Sequence, residues 1–277
     1  MTSPTQDNPT SRGVPRRGGA ARRGRSGIPG RSRRAFTVYE AVGALVVVIV
    51  LVSVLLPMLF RARNQARLDR CRLNQTSIGA AWLMHLRETE AFPDIEEDPD
   101  WRYAGVSFSR VSGEPALDFA RPLNRHLEAR WRRPGEPGIF ESPLDRGIIS
   151  PNGRDGTGGQ TAYRFFGTSY RANAMLLDAR ITGMDNVRRP LRVTEVSRPH
   201  DQVVIMGPPF WFETLYRTGR QADWYERPGA GPVLFMDGSV RDIAVRPETP
   251  VGDGYSFTPV ERTREVDDPN ASARRDG

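Results

Sequence analysis

Residues 41–60, AVGALVVVIVLVSVLLPMLF, form an unbroken run of twenty residues without a charge. Nothing else in the 277 residues constrains the fold as strongly, and no comparable run occurs elsewhere. A segment that is apolar all round has no polar face to give to water. At 1.5 Å per residue, twenty helical residues cover the roughly 30 Å hydrocarbon thickness of a bilayer. The expectation is one transmembrane helix. Pro57 lies near its end, and in lipid a proline bends a helix rather than ending it, because neighbours satisfy the freed carbonyl.

The helical pattern continues beyond the run in RARNQARLDRCRLNQTSIGAAWLMHLRE. Cys71, Gln75, Ile78, Trp82 and Leu86 recur at three- and four-residue spacing, a stripe that faces one partner surface. Arg63, Arg67, Arg70 and Glu88 are assigned to the opposite side. One helix of roughly fifty residues, from about Phe36 to Thr89, is therefore expected, with FPD at 92–94 ending it. Residues 93–160 are rich in Pro, Gly and acids, with PGEPG at 134–138 and NGRDGTGG at 152–159 as turn or loop signals. Short apolar runs follow in TAYRFFGTSY, QVVIMG, PVLFM and SVRDIAV. The last two flank Asp237-Gly238, a strong hairpin signal that suggests a type I′ turn. The fold class expected is α+β: a long N-terminal helix, transmembrane in its first half, packed by its second half on a small antiparallel sheet.

The net charge of +7 does not describe a basic surface. Residues 1–35 hold nine arginines (12, 16, 17, 22, 23, 25, 31, 33, 34) and one acid, Asp7. Removing them leaves 31 of the 40 basic residues against 32 of the 33 acids. No nucleic-acid partner is expected. The leader is too poor in apolar residues to offset its ordering entropy, so residues 1–35 read as disordered, as does the tail from 259. Lysine is absent, a bias of composition rather than of function. The single cysteine, Cys71, excludes an intramolecular disulfide and is expected to be buried and inert.

His85, His126 and His200 lie far apart in sequence, and each is read as solvent-facing or hydrogen-bonded. No Cys/His metal spacing, phosphate-binding glycine loop or nucleophile elbow occurs, so no catalytic residue and no enzyme activity are expected. EEDPD at 96–100 reads as a solvated loop. Phe210, Trp211, Phe212, Trp224 and Tyr225 read as core or sheet face, with a subunit contact as the alternative.

Three readings compete for residues 31–60, RSRRAFTVYEAVGALVVVIVLVSVLLPMLF. One is an uncleaved signal anchor. A second is a twin-arginine export signal, from SRRAF at 32–36; against it, the apolar run is too long and no A-x-A site follows. The third accounts for Glu40, a carboxylate that is costly at the threshold of a membrane. AFTVYE followed by the apolar run resembles the type III signal of type IV pilins and type II secretion pseudopilins. Under all three, nine arginines before the span place the N-terminus in the cytoplasm and the C-terminal domain outside.

The pilin resemblance implies a cut by a prepilin peptidase between Ala35 and Phe36, N-methylation of Phe36, and Glu40 as fifth residue of the mature chain. Ala35 stands where the family usually has Gly, and VYE replaces the usual LIE. Pro57 matches a proline typical of the late apolar run. Glu40 is then an assembly residue, pairing with the α-amine of a neighbouring subunit and setting axial register.

Further motifs resemble a bacterial pseudopilin-like subfamily with a C-terminal His-x9-Asp-Gly ending. RCRLNQTSIGAAWLMHL resembles its Cys-x-x-Asn-Leu-x-x-Ile-Gly helix at Cys71, Asn74, Ile78 and Gly79, with Gln75 where Leu is usual. FESPLD resembles a Cys-Pro-x-Asp element with Ser142 in place of Cys, and TSYRANA a Ser-Tyr-x-x-Asn strand. RPGAGPVLFMDGSVRDI resembles the ending, with Arg227 in place of the His and Asp237-Gly238 as the hairpin signature. The resemblance implies calcium as the one cofactor to consider, with Asp237 a weak ligand candidate; otherwise no cofactor or metal is expected.

The organisation expected is a cleaved leader (1–35), the transmembrane half (36–60) and amphipathic half (61–90) of the helix, a periplasmic α+β domain (91–258) and a tail (259–277). The function implied is a structural subunit of a pilus or secretion-type filament in the bacterial inner membrane, with prepilin peptidase and other pilin subunits as partners. The competing reading is a membrane-anchored periplasmic binding or enzymatic domain.

Overall fold

The computed structural model describes residues 37–261, apart from 110, 128–137, 150–156, 179–188, 219, 221, 223 and 226. The leader, the expected cut between Ala35 and Phe36, most of both loop signals and residues 262–277 lie outside the described residues. The chain divides into two units, residues 1–55 and 56–277. Helix α1, Val38–Thr89, supplies the described part of the first and opens the second.

In the first unit every residue from Val38 to Leu55 is exposed. Thr37 starts the helix. With Pro57 inside it, α1 remains helical throughout, and one turn earlier the Ser53 hydroxyl donates to the Val50 carbonyl (2.7 Å). This helix is long and apolar enough to cross a membrane.

In the second unit α1 turns amphipathic. The expected stripe is buried: Cys71, Gln75, Ile78 and Trp82 have no exposed surface, and Leu86 is nearly covered. Arg63, Arg67 and Glu88 are exposed. At about 100° per residue, however, they lie beside the stripe, not opposite it. The opposite side carries Ala62, Ala66, Leu73 and Met84, all exposed.

The main sheet is antiparallel with strand order β3 (Arg171–Ala172), β4 (Val204–Gly207), β5 (Ala230–Phe235), β6 (Val240–Ala244). Two small hairpins accompany it: β1 (Val106–Phe108) with β2 (Pro115–Leu117), and β7 (Val251–Gly252) with β8 (Tyr255–Ser256). Strand β5 alternates across the sheet, as a period of two requires. Leu234 joins the α1 core with Ile78, Trp82, Tyr103 and Phe140. Val233 and Phe235 face the other way, against Phe210, Trp211 and Phe257. The second core is closed by α4 (Phe210–Tyr216) and β7–β8. A register irregularity between Val204 and Met206 in β4 breaks the same alternation there.

Close approach fixes how α1 lies on β5. A Cβ at Gly79 would stand 2.7 Å from a Leu234 methyl. Trp82 stacks on Tyr103 with centroids 5.6 Å apart, and Phe92 of the FPD segment packs tilted against it at 6.0 Å.

Several expectations change. The first half of TAYRFFGTSY is helix α2 (Ala162–Phe166), capped by the Thr161 side chain and ended by Gly167 in the left-handed conformation; only Arg171–Ala172 joins the sheet. The hairpin turn is not type I′. Gly238 alone takes positive φ (87°), and its N–H donates to the Phe235 carbonyl. That is a type I turn over Met236-Asp237 followed by a left-handed glycine, a three-residue loop. Pro259 and Glu261 belong to the domain, bonded to Arg198 and Ser197, so the described fold extends past the expected boundary at 258.

Candidate functional site

Glu40 is held locally. The Thr37 backbone N–H (2.9 Å) and hydroxyl (3.0 Å) both donate to Glu40 Oε2, while the Glu40 N–H donates to Thr37 Oγ1 (3.3 Å). This is a reciprocal capping box, Thr-x-x-Glu ahead of an apolar run. An acid in the first turn also faces the positive end of the helix dipole. The pattern was legible as T37-V-Y-E40, and reading Glu40 only against the membrane overlooked it. The carboxylate has its hydrogen bonds without a second chain.

The motif residues of the domain converge beneath the helix. Asn74 Nδ2 donates to the Glu141 carbonyl (2.9 Å) and to the Tyr170 hydroxyl (3.2 Å). Cys71 Sγ lies 3.2 Å from the Tyr225 hydroxyl and 3.9 Å from Ser142 Oγ. Asp145, of the same SPLD segment, gathers the loops. Its Oδ1 accepts from Gly147 and Ala162 N–H, and its Oδ2 from Tyr163 N–H and Ser169 Oγ, all within 2.9 Å. Asn173 caps α3 (Ala174–Leu177) through Met175 N–H. Its amide donates to the carbonyls of Val204 and Phe257. Four segments separate in sequence, around residues 71–75, 141–145, 169–173 and 225, thus meet in one seam.

Burial pushes the Tyr170 and Tyr225 hydroxyls well above their usual range, with the neighbouring thiol adding to it. They stay protonated and serve as hydrogen-bonding groups. The seam docks a helix on a sheet. Cys71 is a free buried thiol, as expected. Gln75 donates to the Pro232 carbonyl (3.1 Å), but its own buried oxygen has no partner.

At the hairpin tip, Asp237 Oδ1 accepts from the N–H (2.8 Å) and hydroxyl (2.7 Å) of Ser239. Among the described residues no group of three or more His, Cys, Asp or Glu is placed to hold a metal ion. Gly238 is favoured by its positive φ, and it lies close to α1: a Cβ there would stand 2.9 Å from a Leu83 methyl. The signature thus marks where a tight turn abuts the helix. Arg227 is exposed, and its carbonyl accepts from Ala230 N–H at the start of β5.

Two charged clusters were not legible. Asp100, assigned to a solvated loop, accepts from Arg171 Nε (2.6 Å) and pairs with its Nη2 (2.5 Å). The Arg171 guanidinium lies 3.4 Å above the Phe212 ring and 3.6 Å from Glu213 Oε1. Both Glu213 oxygens are buried without a hydrogen bond. Burial raises the Glu213 carboxyl to about 7, and the opposing pull of Arg171 does not cancel it. The second cluster brings His85 and His126 together with ring centroids 5.9 Å apart. His85 is buried with its Nδ1 unpartnered. Burial first, then Arg125 and His126, lower it to about 4. Of the aromatic group, Phe210, Trp211 and Trp224 are buried in the core.

Comparison with protein-family models, with curated proteins and with solved structures finds no match to this chain.

Proposed function

We propose that this protein is a pilin-like or pseudopilin-like structural subunit. It is inserted once in a bacterial inner membrane with its N-terminus in the cytoplasm, cut between Ala35 and Phe36 by a prepilin peptidase, N-methylated at Phe36, and assembled through α1 into a filament. The observation that carries the reading is Glu40 at the head of a helix whose next twenty residues hold no charge. Supporting it, the same helix becomes amphipathic and docks on an antiparallel sheet, so one element serves both as apolar stem and as domain core. The work is mechanical, with Glu40 meeting the α-amine of a neighbouring subunit.

The capping box favours a second reading, an uncleaved signal anchor carrying a periplasmic binding or enzymatic domain, because Glu40 is satisfied within its own chain. Glu40→Gln separates the two. Glutamine also serves at this position of a capping box but carries no charge. If Glu40 sets subunit register, the variant is inserted and cut normally yet absent from sheared filaments. If Glu40 only caps the helix, the variant behaves like the wild type.

A further inference from the structure

The apolar run ends abruptly at Phe60, and Arg61, Arg63 and Arg67 follow within two helical turns. All three side chains are exposed. The only acid between Arg61 and Arg87 is Asp69. It is already taken: its Oδ1 accepts from Gln65 Nε2 (3.0 Å) and Arg72 Nη1 (2.7 Å). Arg72 in turn reaches Asp242 at 2.6 Å. Elsewhere in the domain Arg102, Arg125, Arg171 and Arg246 each sit against a carboxylate. Arg61, Arg63 and Arg67 have none among the described residues.

From Arg61 to Arg67 the helix rises about 9 Å. That matches the depth of one headgroup layer beside the hydrocarbon core, roughly 5–8 Å. Arg63 and Arg67 share a face at four-residue spacing, while Arg61 points elsewhere, so the three guanidinium groups surround the helix rather than line one stripe. A guanidinium presents a fork of N–H donors that fits a phosphate oxygen pair, and long arginine stems reach along apolar surface to a charged layer.

We propose that Arg61, Arg63 and Arg67 form a band that binds the headgroups of anionic phospholipid in the leaflet at the C-terminal end of the span. The inference rests on the membrane insertion of α1 and not on its assembly into filaments. It also gives the leader a purpose in that reading. Nine arginines stand before the span and these three directly after it, so the leader carries the larger charge while orientation is set. Once it is removed, the remaining basic charge near the span lies with the band.

The test uses the full-length protein in nanodiscs of phosphatidylcholine and phosphatidylglycerol in equal amounts. Spin-labelled versions of each lipid report the relative association constant of the helix for the anionic over the zwitterionic headgroup. At low salt a ratio of about five or more is expected, as for basic residues at an anionic surface. It should collapse in 1 M NaCl on the order of a 3 Å screening length. R61Q/R63Q/R67Q should lower the ratio several-fold, to the preference that the nine leader arginines alone confer, whereas R61K/R63K/R67K should keep most of it. Single Arg→Gln variants, each at an exposed position, give stepwise losses if the triple glutamine variant does not fold. A wild-type ratio near one, or a glutamine variant that retains the wild-type ratio, overturns the proposal. Flotation with vesicles of pure phosphatidylcholine reports insertion separately, so loss of the span and loss of lipid preference are distinguishable.

Discussion

The two ends of α1 share one continuous backbone and meet opposite conditions. From Val38 to Leu55 no side chain is buried, and valines and leucines such as Leu45, Val46 and Leu55 are more than half exposed. From Cys71 to Leu86 nine residues are buried, three of them polar: Asn74, Gln75 and His85. The apolar end is therefore the one that buries no side chain among the described residues, and the end with polar residues makes the core. An apolar surface of that extent is explained by a medium other than water, whereas polar residues under a sheet are explained by specific hydrogen bonds. Hydrophobicity alone would have placed the core at the wrong end of the helix.

The contrast is most easily broken at Trp82. Trp82→Ala removes a fully buried ring stacked on Tyr103, with an expected loss of about 3–5 kcal/mol in urea unfolding of the detergent-solubilised chain. Val46→Ala in the exposed half should leave the same unfolding transition within about 0.5 kcal/mol. Equal effects of the two would erase the distinction.

Ser142→Cys sharpens the docking seam. Its Oγ already lies 3.9 Å from Cys71 Sγ. Under oxidising conditions a bridge should form between residues 71 and 142, seen as a loss of two hydrogens by mass spectrometry. Closing so long a loop raises stability by about 2–4 kcal/mol. A thiol pair that stays reduced under oxidant would mean that the 141–145 segment does not sit against the helix.

Asn74→Ala leaves the Tyr170 hydroxyl without its amide donor and the Glu141 carbonyl without its bond. A loss of about 1–3 kcal/mol is expected. A change below about 0.5 kcal/mol would reduce the seam to packing alone.

The smallest effect is one of sign. Burial raises Glu213 from 4.5 to about 7, so the folded protein holds a proton there that the unfolded chain has lost between those values. Stability from this group is full below pH 4.5 and declines as pH rises through 7. The charges facing it are Arg171, Asp100 and Arg220. Glu213→Gln should therefore raise the melting temperature more at pH 8 than at pH 5. His85 runs the other way: lowered from 6.5 to about 4, it favours the folded state above pH 6.5 and loses that advantage towards pH 4. A Glu213→Gln gain equal at both pH values would deny the buried carboxylate any role.

Much of this was legible in the chain because it rests on local periodicity. The apolar run follows from twenty residues without a charge, the stripe from Cys71 to Leu86 from three- and four-residue spacing, and the end of α1 at Thr89 from the FPD that follows it. Asp237-Gly238 announced a hairpin, but the turn type depends on the φ of one residue and was missed. Asp100 and Arg171 are 71 positions apart, and the fold alone brings them together. The same holds for His85 with His126 and for Cys71 with Tyr225. The capping box at Thr37 and Glu40 differs, since its Thr-x-x-Glu spacing is local and stands in the sequence directly ahead of the apolar run.

The most direct measurement is the N-terminal peptide of the membrane-extracted protein by mass spectrometry. The account predicts a mature chain that begins with N-methylated Phe36, five residues counting to Glu40. An intact leader, RSRRAFTVYE still joined to the apolar run, would contradict it.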